Sequence, residues 1–393
     1  MGQKYLLVTA PGRGYSGGGK ASLFGFWPLA GNWPLAAISA FVVRATMRAS
    51  YTLSNLLVTV SSNPLTTMDV DVRFIVNGSP GNQSVTIPFG ATGTFEDTTN
   101  SDSLADGDTA YTDVTAGNEP AVIELEVCSY ILDSGGIQDY FTICAKEYDT
   151  QQAANATTYS TLFGTSRFGS TEADTQYIFR QSITYRNLYC YVYYNDLQGA
   201  STLRSRKNGA NGNQSVSIAS GATGAFEDTV NTDDYVAGDT GNYQAVVGGM
   251  SGRFIAISLV SMHGTSAARN SAYGDVTGLT IGWGLTEFVA LESGQGTTEA
   301  TESPAQCKAR GQFIARNLFC RVIANNLDEA TTIALRKDGS SMDAVVTVGA
   351  GATGTFEETA SITKTNPGSL LCYLVDTEGS TAGLLTITLL GVE

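Results

Sequence analysis

Acidic side chains are the first residues in this sequence whose type and spacing could do chemistry. They cluster twice, after two similar stretches, and the candidates are Asp97, Asp102, Asp106, Asp108, Asp228, Asp233, Asp234 and Asp239. Calcium binds about six to eight oxygen ligands, which carboxylates in such loops could supply. The spacing is not that of an EF-hand loop, however, and an Asp in a loop commonly caps a turn of its own backbone. Calcium ligation and turn capping therefore both stay open.

Catalytic chemistry has little support in the residue types present. The chain has one histidine, His263, so a Ser-His-Asp or Cys-His arrangement would have to use it. It lies at the end of an apolar run, where we expect an ordinary surface residue. A glycosidase needs only a pair of carboxylates, which the sequence leaves open. Because no constellation of catalytic residues stands out, we expect a protein that is not an enzyme and needs no cofactor.

A glycine-rich stretch near the N-terminus comes close to a nucleotide-binding motif. Residues 12–20 contain G-x-G-x-x-G and end on Gly19-Lys20, as a P-loop does. A P-loop has Ser or Thr directly after the lysine to hold magnesium, and a helix follows it. Here Ala21 follows, and a Pro-interrupted apolar stretch comes next. We expect a glycine-rich loop and no nucleotide site.

The six cysteines form no C-x-x-C pair, which argues against zinc-ribbon and thioredoxin-like sites. Cys190 and Cys320 lie at equivalent places in two similar stretches, and Val58 takes that place in a third. A position that accepts Cys or Val is most simply a small, buried apolar position. We expect buried thiols there, with some disulfide pairing as the alternative.

An internal repeat organises the whole chain. Residues 90–97, Gly-Ala-Thr-Gly-Thr-Phe-Glu-Asp, return almost unchanged at 221–228 and 351–358. The blocks begin 131 and then 130 residues apart, so repeats of this length cover all 393 residues. We therefore predict three domains, at 1–131, 132–262 and 263–393, which are called the first, second and third copy below.

Within each copy the pattern is that of short strands joined by tight turns. Val70, Val72 and Phe74 alternate with other residues, which is the period-two pattern of a strand with one face in a core. Pairs such as Asn77-Gly78 favour the left-handed backbone of hairpin turns. The sequence predicts an all-β protein of three tandem β-sandwich or jelly-roll-like domains, with a barrel in each copy as the alternative. We also expect tight turns at Gly93, Gly224 and Gly354, each followed by a core phenylalanine, Phe95, Phe226 and Phe356.

The first copy differs from the others in its N-terminal part. Residues 21–43 carry no charge, whereas residues 161–180 of the second copy are polar and charged. Prolines and glycines interrupt the stretch, so a membrane-spanning helix of about 20 residues is not expected, and it begins late for a signal peptide. Burial inside the first copy and burial against a neighbouring subunit stay open. The candidate subunit-interface residues are Tyr5, Leu7, Phe24, Phe26, Trp27, Trp33, Ile38 and Phe41.

The strongly acidic balance of the chain bears on its partners. The formal net charge is −15 at neutral pH, and such a surface repels the phosphates of nucleic acid. We expect no nucleic-acid partner and no membrane span.

The repeated turns carry a family resemblance. The strings Arg206-Lys207-Asn208-Gly209 and Arg336-Lys337-Asp338-Gly339, followed by a short strand, Gly-Ala-Thr-Gly and Phe-Glu, resemble modules of environmental and phage-associated fibre proteins and of extracellular filament subunits. The resemblance implies a structural subunit of an extracellular appendage or virion surface. Its expected partner is itself, in a head-to-tail filament with inserted segments, or alternatively in a closed trimeric fibre.

A carbohydrate-binding or adhesive surface protein is the alternative function, with a surface glycan as its partner. Sugar-binding sandwiches commonly display aromatic side chains on one face, and residues 189, 191 and 193 share one face of a strand. The tyrosines concerned are Tyr185, Tyr189, Tyr191, Tyr193 and Tyr194. Ordinary packing between sheets is the competing interpretation of this stripe.

Overall fold

The computed structural model describes residues 4–9, 13–16, 23–27, 45–47, 50–116, 122–133, 139–145, 151–162, 168–250, 253–265, 279–289, 291, 298, 300–309, 314–366 and 368–392. Strands dominate these residues, and helical turns are confined to a 3-10 turn, Glu172–Thr175, and α1, Glu302–Ala305. In the described ranges no helix has the length and apolar character needed to cross a membrane. The prediction of an all-β fold built from β-sandwiches is confirmed.

The chain forms two compact units, Met1–Arg269 and Asn270–Glu393. The first unit holds the strands of the first two copies, and the second unit holds those of the third copy. The predicted boundaries at residues 131 and 262 fall within the last strand of the first and of the second copy. The division into three separate domains stays a prediction.

Strands β1 to β11 belong to the first copy. They are β1 Lys4–Thr9, β2 Arg13–Ser16, β3 Leu23–Trp27, β4 Ala45–Thr46, β5 Tyr51–Ser62, β6 Val70–Val76, β7 Ser79–Ile87, β8 Gly93–Glu96, β9 Ser101–Leu104, β10 Thr109–Ala116 and β11 Val122–Asp133.

Strands β12 to β30 belong to the other copies. Those of the second copy are β12 Asp139–Ala145, β13 Gln151–Ala153, β14 Thr157–Ser160, β15 Tyr177–Ile178, β16 Ile183–Asn195, β17 Ser201–Lys207, β18 Ala210–Ile218, β19 Gly224–Tyr235, β20 Thr240–Val246 and β21 Phe254–Thr265. Those of the third copy are β22 Leu279–Gly282, β23 Thr286–Val289, β24 Cys307–Lys308, β25 Ile314–Asn325, β26 Thr331–Lys337, β27 Ser340–Val348, β28 Gly354–Lys364, β29 Leu370–Asp376 and β30 Leu384–Gly391.

The same strand order recurs in each copy, in two antiparallel sheets. In the first copy one sheet has the order β1-β11-β5-β8, with β2 also on β11 and β9 also on β5, and the other has the order β3-β10-β6-β7, with β4 also on β10. The second copy repeats this as β12-β21-β16-β19 and β14-β20-β17-β18, and the third as β22-β30-β25-β28 and β23-β29-β26-β27. Counted as eight strand positions, the orders are 1-8-3-6 and 2-7-4-5, which is a jelly-roll arrangement.

Alternation of side chains between the two faces of each sheet builds the core. Along β7 the side chains of Gln83, Val85 and Ile87 are buried and those between them are exposed. In the first copy Phe74 and Tyr130 meet between the sheets, with ring centroids 5.3 Å apart. The Tyr130 hydroxyl is hydrogen-bonded to Thr112 at 2.7 Å, so this buried polar group is satisfied.

The expected glycine turns are confirmed, but the phenylalanines after them are not deep in the cores. Gly93, Gly224 and Gly354 have φ of +106°, +102° and +123°. Nothing lies within 4 Å of an added Cβ at any of them, so the backbone angle alone requires glycine there. Phe95, Phe226 and Phe356 lie in register with the buried Val58, Cys190 and Cys320, yet they are only half-buried. Their strand is the last in its sheet, which leaves one side of each ring uncovered.

Candidate functional site

Five of the eight candidate interface residues lie on edge strands of the first copy. Tyr5 and Leu7 belong to β1, which pairs with Leu132 and Tyr130 of β11 in antiparallel register. Phe24, Phe26 and Trp27 belong to β3, which pairs with β10. Trp33, Ile38 and Phe41 lie outside the described residues. With β2, which also pairs with β11, the N-terminal segment therefore supplies three strands to the first copy's own sandwich.

Among the strands that the structure describes, β1 and β3 each end a sheet. In the order of each sheet, β1 has β11 as its neighbour and β3 has β10. The second copy fills the same two places with β12 and β14, which pair with β21 and β20. Strands β1 and β3 are thus structurally equivalent to strands that occur elsewhere in the chain, and backbone hydrogen bonds attach them.

The acidic side chains that were calcium candidates are engaged in holding turns. Asp97 accepts hydrogen bonds from the backbone of Ser84, Thr99 and Asn100, at 3.1, 3.1 and 3.0 Å, and from the Asn100 amide. Burial raises the pKa of Asp97, but these hydrogen bonds outweigh it and lower the pKa to about 2. Asp228 has the same partners one repeat later, and its pKa is lowered in the same way.

A second carboxylate caps the start of the next strand. Asp108 accepts from the backbone of Ala105 at 2.7 Å and from the Asn77 amide at 2.7 Å, and Asp239 repeats this with Val236 and Asn208. Asp106 is exposed. Among the described residues no three His, Cys, Asp or Glu side chains gather as metal ligands would. The observed contacts are those of the turn-capping interpretation.

The third carboxylate, Asp102, belongs to a buried polar network that sequence reasoning missed. Gln83 is fully buried; its Oε1 accepts from Leu56 N at 3.0 Å, and its Nε2 donates to Leu53 O at 3.1 Å and to Asp102 at 3.2 Å. Asp102 also accepts from the backbone of Asn82 at 2.6 Å. A Cβ on Gly81 would lie 2.6 Å from the same carboxylate. The network bridges the irregular point of β5, where Asn55 has a φ of +58°.

The network recurs in the second copy and is replaced as a set in the third. Gln214, Asp233 and Gly212 make the corresponding contacts. The third copy has Ala344, Thr363 and Met342 at these places. In the sequence, the network could have been recognised only from the joint change of all three residues in the third copy.

An ion pair with an aromatic neighbour lies on the other sheet of the second and third copies. Arg206 donates to both carboxylate oxygens of Glu172, at 2.8 and 3.0 Å, and lies 5.9 Å from the Tyr159 ring centre. In the third copy Arg336 pairs with Glu302 at 2.7 Å and lies over Phe288. The first copy has buried Ile75 at the position of the arginine. This pattern is a structural motif that two copies share.

The single histidine and three of the cysteines, Cys190, Cys320 and Cys372, are core residues. His263 is fully buried, and its Nδ1 accepts a hydrogen bond from Arg186 Nε at 3.0 Å. The expectation of a surface histidine was wrong, because the neighbouring strands β12 and β16 cover both edges of its strand. Cys190, Cys320 and Cys372 are buried, and burial raises the pKa of the Cys190 and Cys320 thiols to about 12.

The tyrosine stripe divides between packing and exposure. Tyr185 and Tyr189 are buried, and Tyr189 joins the apolar cluster of the first copy, with Tyr191 packed against that cluster. The face shared by residues 189 and 191 therefore holds the first two copies together within the first unit. Tyr193 and Tyr194 are exposed, at 39% and 41%.

Exposed Tyr194 lies in a small group of side chains at one end of the second copy. Its ring stacks on Phe254, with centroids 4.8 Å apart and planes inclined by 26°. The Asp196 carboxylate accepts a hydrogen bond from Phe254 N at 2.8 Å and pairs with Arg253 at 3.4 Å. Tyr194, Phe254, Asp196 and Arg253 are called the aromatic platform below.

Comparison with known proteins places the chain in no described family. No family model matches the sequence. No curated protein matches it either. The function has to be argued from the chain's own residues.

Proposed function

We propose that the protein is a structural subunit that assembles head to tail into an extracellular filament or virion fibre by exchanging its N-terminal strands. The observation that carries the proposal is the pairing of β1 and β3 at the open ends of their sheets. An edge strand is held by one neighbour, so a strand of identical sequence from another subunit makes the same hydrogen bonds.

The chain is long enough for such an exchange. Residues 28–44 separate β3 from β4, and 17 residues extend at most about 60 Å. A compact domain of this size is about 35 Å across. The segment can therefore reach a neighbouring subunit without opening the remainder of the sandwich.

Exchange in one direction gives an open assembly. If each subunit donates residues 4–27 to the next, the contact is heterologous and does not close, which generates a filament. The uncharged stretch at residues 21–43 fits a segment that has protein on both sides. Reciprocal exchange would give a closed dimer, and rotation about a central axis would give the trimeric fibre.

A cysteine placed opposite a native one tests the exchange directly. Thr9 and Cys128 are partners across β1 and β11, and residues directly opposite in antiparallel strands are about 4.5–5.5 Å apart, within disulfide range. After assembly and mild oxidation, Thr9→Cys should give a ladder of covalent multimers on a non-reducing gel. Val8→Cys, which faces Ser129, is the matched control and should give none.

Microscopy of a truncated chain tests the assembly itself. Negative-stain images of the full chain should show filaments, and deletion of residues 1–45 should leave unassembled particles. A Thr9→Cys protein that forms only an internal disulfide would argue against exchange. Filaments of normal length from the truncated chain would show that this segment makes no essential contact.

A further inference from the structure

The aromatic platform is a surface feature that the assembly proposal does not use. Tyr194 has one ring face on Phe254, so its 41% exposure belongs to the other face and the ring edge. Just before Phe254, Arg253 N donates to the Met250 carbonyl at 3.2 Å, and Met250 is 48% exposed. Tyr194 thus presents a flat, open aromatic face at the surface.

Polar groups border this aromatic face and are fixed in place. The Asp196 carboxylate accepts hydrogen bonds from Phe254 N and from Arg253, and these bonds lower its pKa. The side chains of Asp196 and Arg253 keep 23% and 44% of their surface exposed. A carboxylate and a guanidinium at the rim of an aromatic ring offer both an acceptor and donors to hydroxyl groups.

Comparison of the three copies shows which residues of the aromatic platform the fold itself requires. At the positions of Tyr194, Asp196 and Phe254 of the second copy, the first copy has Ser62, Pro64 and Val122. The third copy has Ala324, Asn326 and Leu384 at the same positions. Asn326 still accepts from Leu384 N, at 2.5 Å, whereas Pro64 of the first copy has no side-chain acceptor, so the fold requires neither the carboxylate nor an aromatic ring at these positions.

From this geometry we infer that the aromatic platform of the second copy binds a neutral hexopyranose. The C–H face of a pyranose ring is apolar and flat and stacks on the open face of Tyr194. Its ring hydroxyls then donate to Asp196 and accept from Arg253. The net charge of −15 disfavours acidic sugars, because like charges repel across the surface. This site is independent of strand exchange.

Saturation-transfer NMR on the full chain, with methyl glycosides of glucose, galactose and mannose as probes, tests the inference. We expect saturation transfer to at least one of them. Tyr194→Ala should weaken its binding about tenfold, since the stacking contribution is lost. The third copy already carries Ala324 at this position, so the variant should keep the wild-type thermal transition.

Tyr193→Ala is the matched control, because this neighbouring tyrosine is equally exposed but is not part of the platform; it should bind as the wild type does. Failure of all three glycosides to bind would overturn the inference. So would equal weakening by both variants. A concentration-dependent self-association in the ultracentrifuge that Tyr194→Ala abolishes, without any sugar effect, would assign the platform to a second copy of the chain instead.

Discussion

Removing the amide of Gln83 should destabilise the first copy more than most single substitutions. Gln83→Ala takes away the acceptor of Leu56 N and the donor to Leu53 O, and both residues are fully buried. A buried backbone group left without a partner costs about 1–3 kcal/mol. Two such groups give an expected loss of about 4 kcal/mol in the free energy of unfolding.

Differential scanning calorimetry can measure this loss. Unfolding entropy is about 2 cal/mol/K per residue, so 4 kcal/mol lowers the midpoint by about 15 °C for a copy of about 131 residues that melts alone. If Met1–Arg269 unfolds as one unit, the shift falls to about 7 °C. The size of the shift therefore also reports how the first two copies are coupled.

Asn82→Ala is the control, because this exposed side chain makes its hydrogen bond, to Ser101 O, at the surface. It should cost under about 1 kcal/mol. A Gln83→Ala protein that melts within about 1 kcal/mol of the wild type would refute the reasoning, since other groups would then be satisfying Leu56 and Leu53.

The residues that replace this polar network in the third copy suggest a test with single and double substitutions. Gly81→Ala should be destabilising, because its Cβ would meet the Asp102 carboxylate at 2.6 Å and that carboxylate is held by Asn82 N. Adding Asp102→Thr, as the third copy has at Thr363, should relieve the clash. Equal effects of Gly81→Ala with and without Asp102→Thr would contradict the proposed contact.

Further predictions concern charge and thiols. The folded-state pKa of Asp97 lies below its usual value of 3.8. Its charge therefore stabilises the fold above about pH 4, and this contribution is lost as the pH falls towards 2. Asp97→Asn should lower the midpoint of thermal unfolding at pH 7 and change it little at pH 2. Cys190 should resist iodoacetamide at pH 8 in the folded protein and react after unfolding, as peptide mapping would show, since its thiol is buried with a pKa of about 12. Glu172→Ala alone should cost more stability than the pair Glu172→Ala and Arg206→Ile, because the single change leaves the largely buried Arg206 guanidinium without its carboxylate partner; equal costs would contradict this.

The strands and turns of this fold were predictable from local patterns. Alternating residues mark β6 and β7, and Asn77-Gly78 marks the hairpin between them, because period-two burial and positive φ are properties of a few neighbouring residues. Alternation also placed residues 189 and 191 on one face. It could not show that the first copy covers that face, since this depends on residues far away in sequence.

The roles of individual polar side chains were less predictable. The roles of His263 and Asp97 depend on the hydrogen-bond donors that the tertiary structure brings to them. The donor is Arg186 for His263 and the backbone of Ser84 for Asp97. Composition identified the carboxylates as a group but did not reveal which turn each one serves. The buried amide of Gln83 gave no local signal, and only its joint replacement with Gly81 and Asp102 in the third copy could have exposed it.

Asn77 in the β6–β7 hairpin precedes a glycine, so this turn is susceptible to slow deamidation. In Asn-Gly sequences the backbone nitrogen after the asparagine attacks the side-chain amide carbon and expels ammonia, since glycine leaves room for ring closure. Water then opens the resulting succinimide to aspartate or isoaspartate. The resulting carboxylate at residue 77 would replace the amide that donates to Asp108, so two negative charges would face each other across 2.7 Å. The third copy already has Asp338 in the turn, with Ser369 in place of the opposing carboxylate. Deamidation on storage, detected by peptide mapping, should therefore loosen the Asn-Gly hairpins of the first and second copies and spare the third.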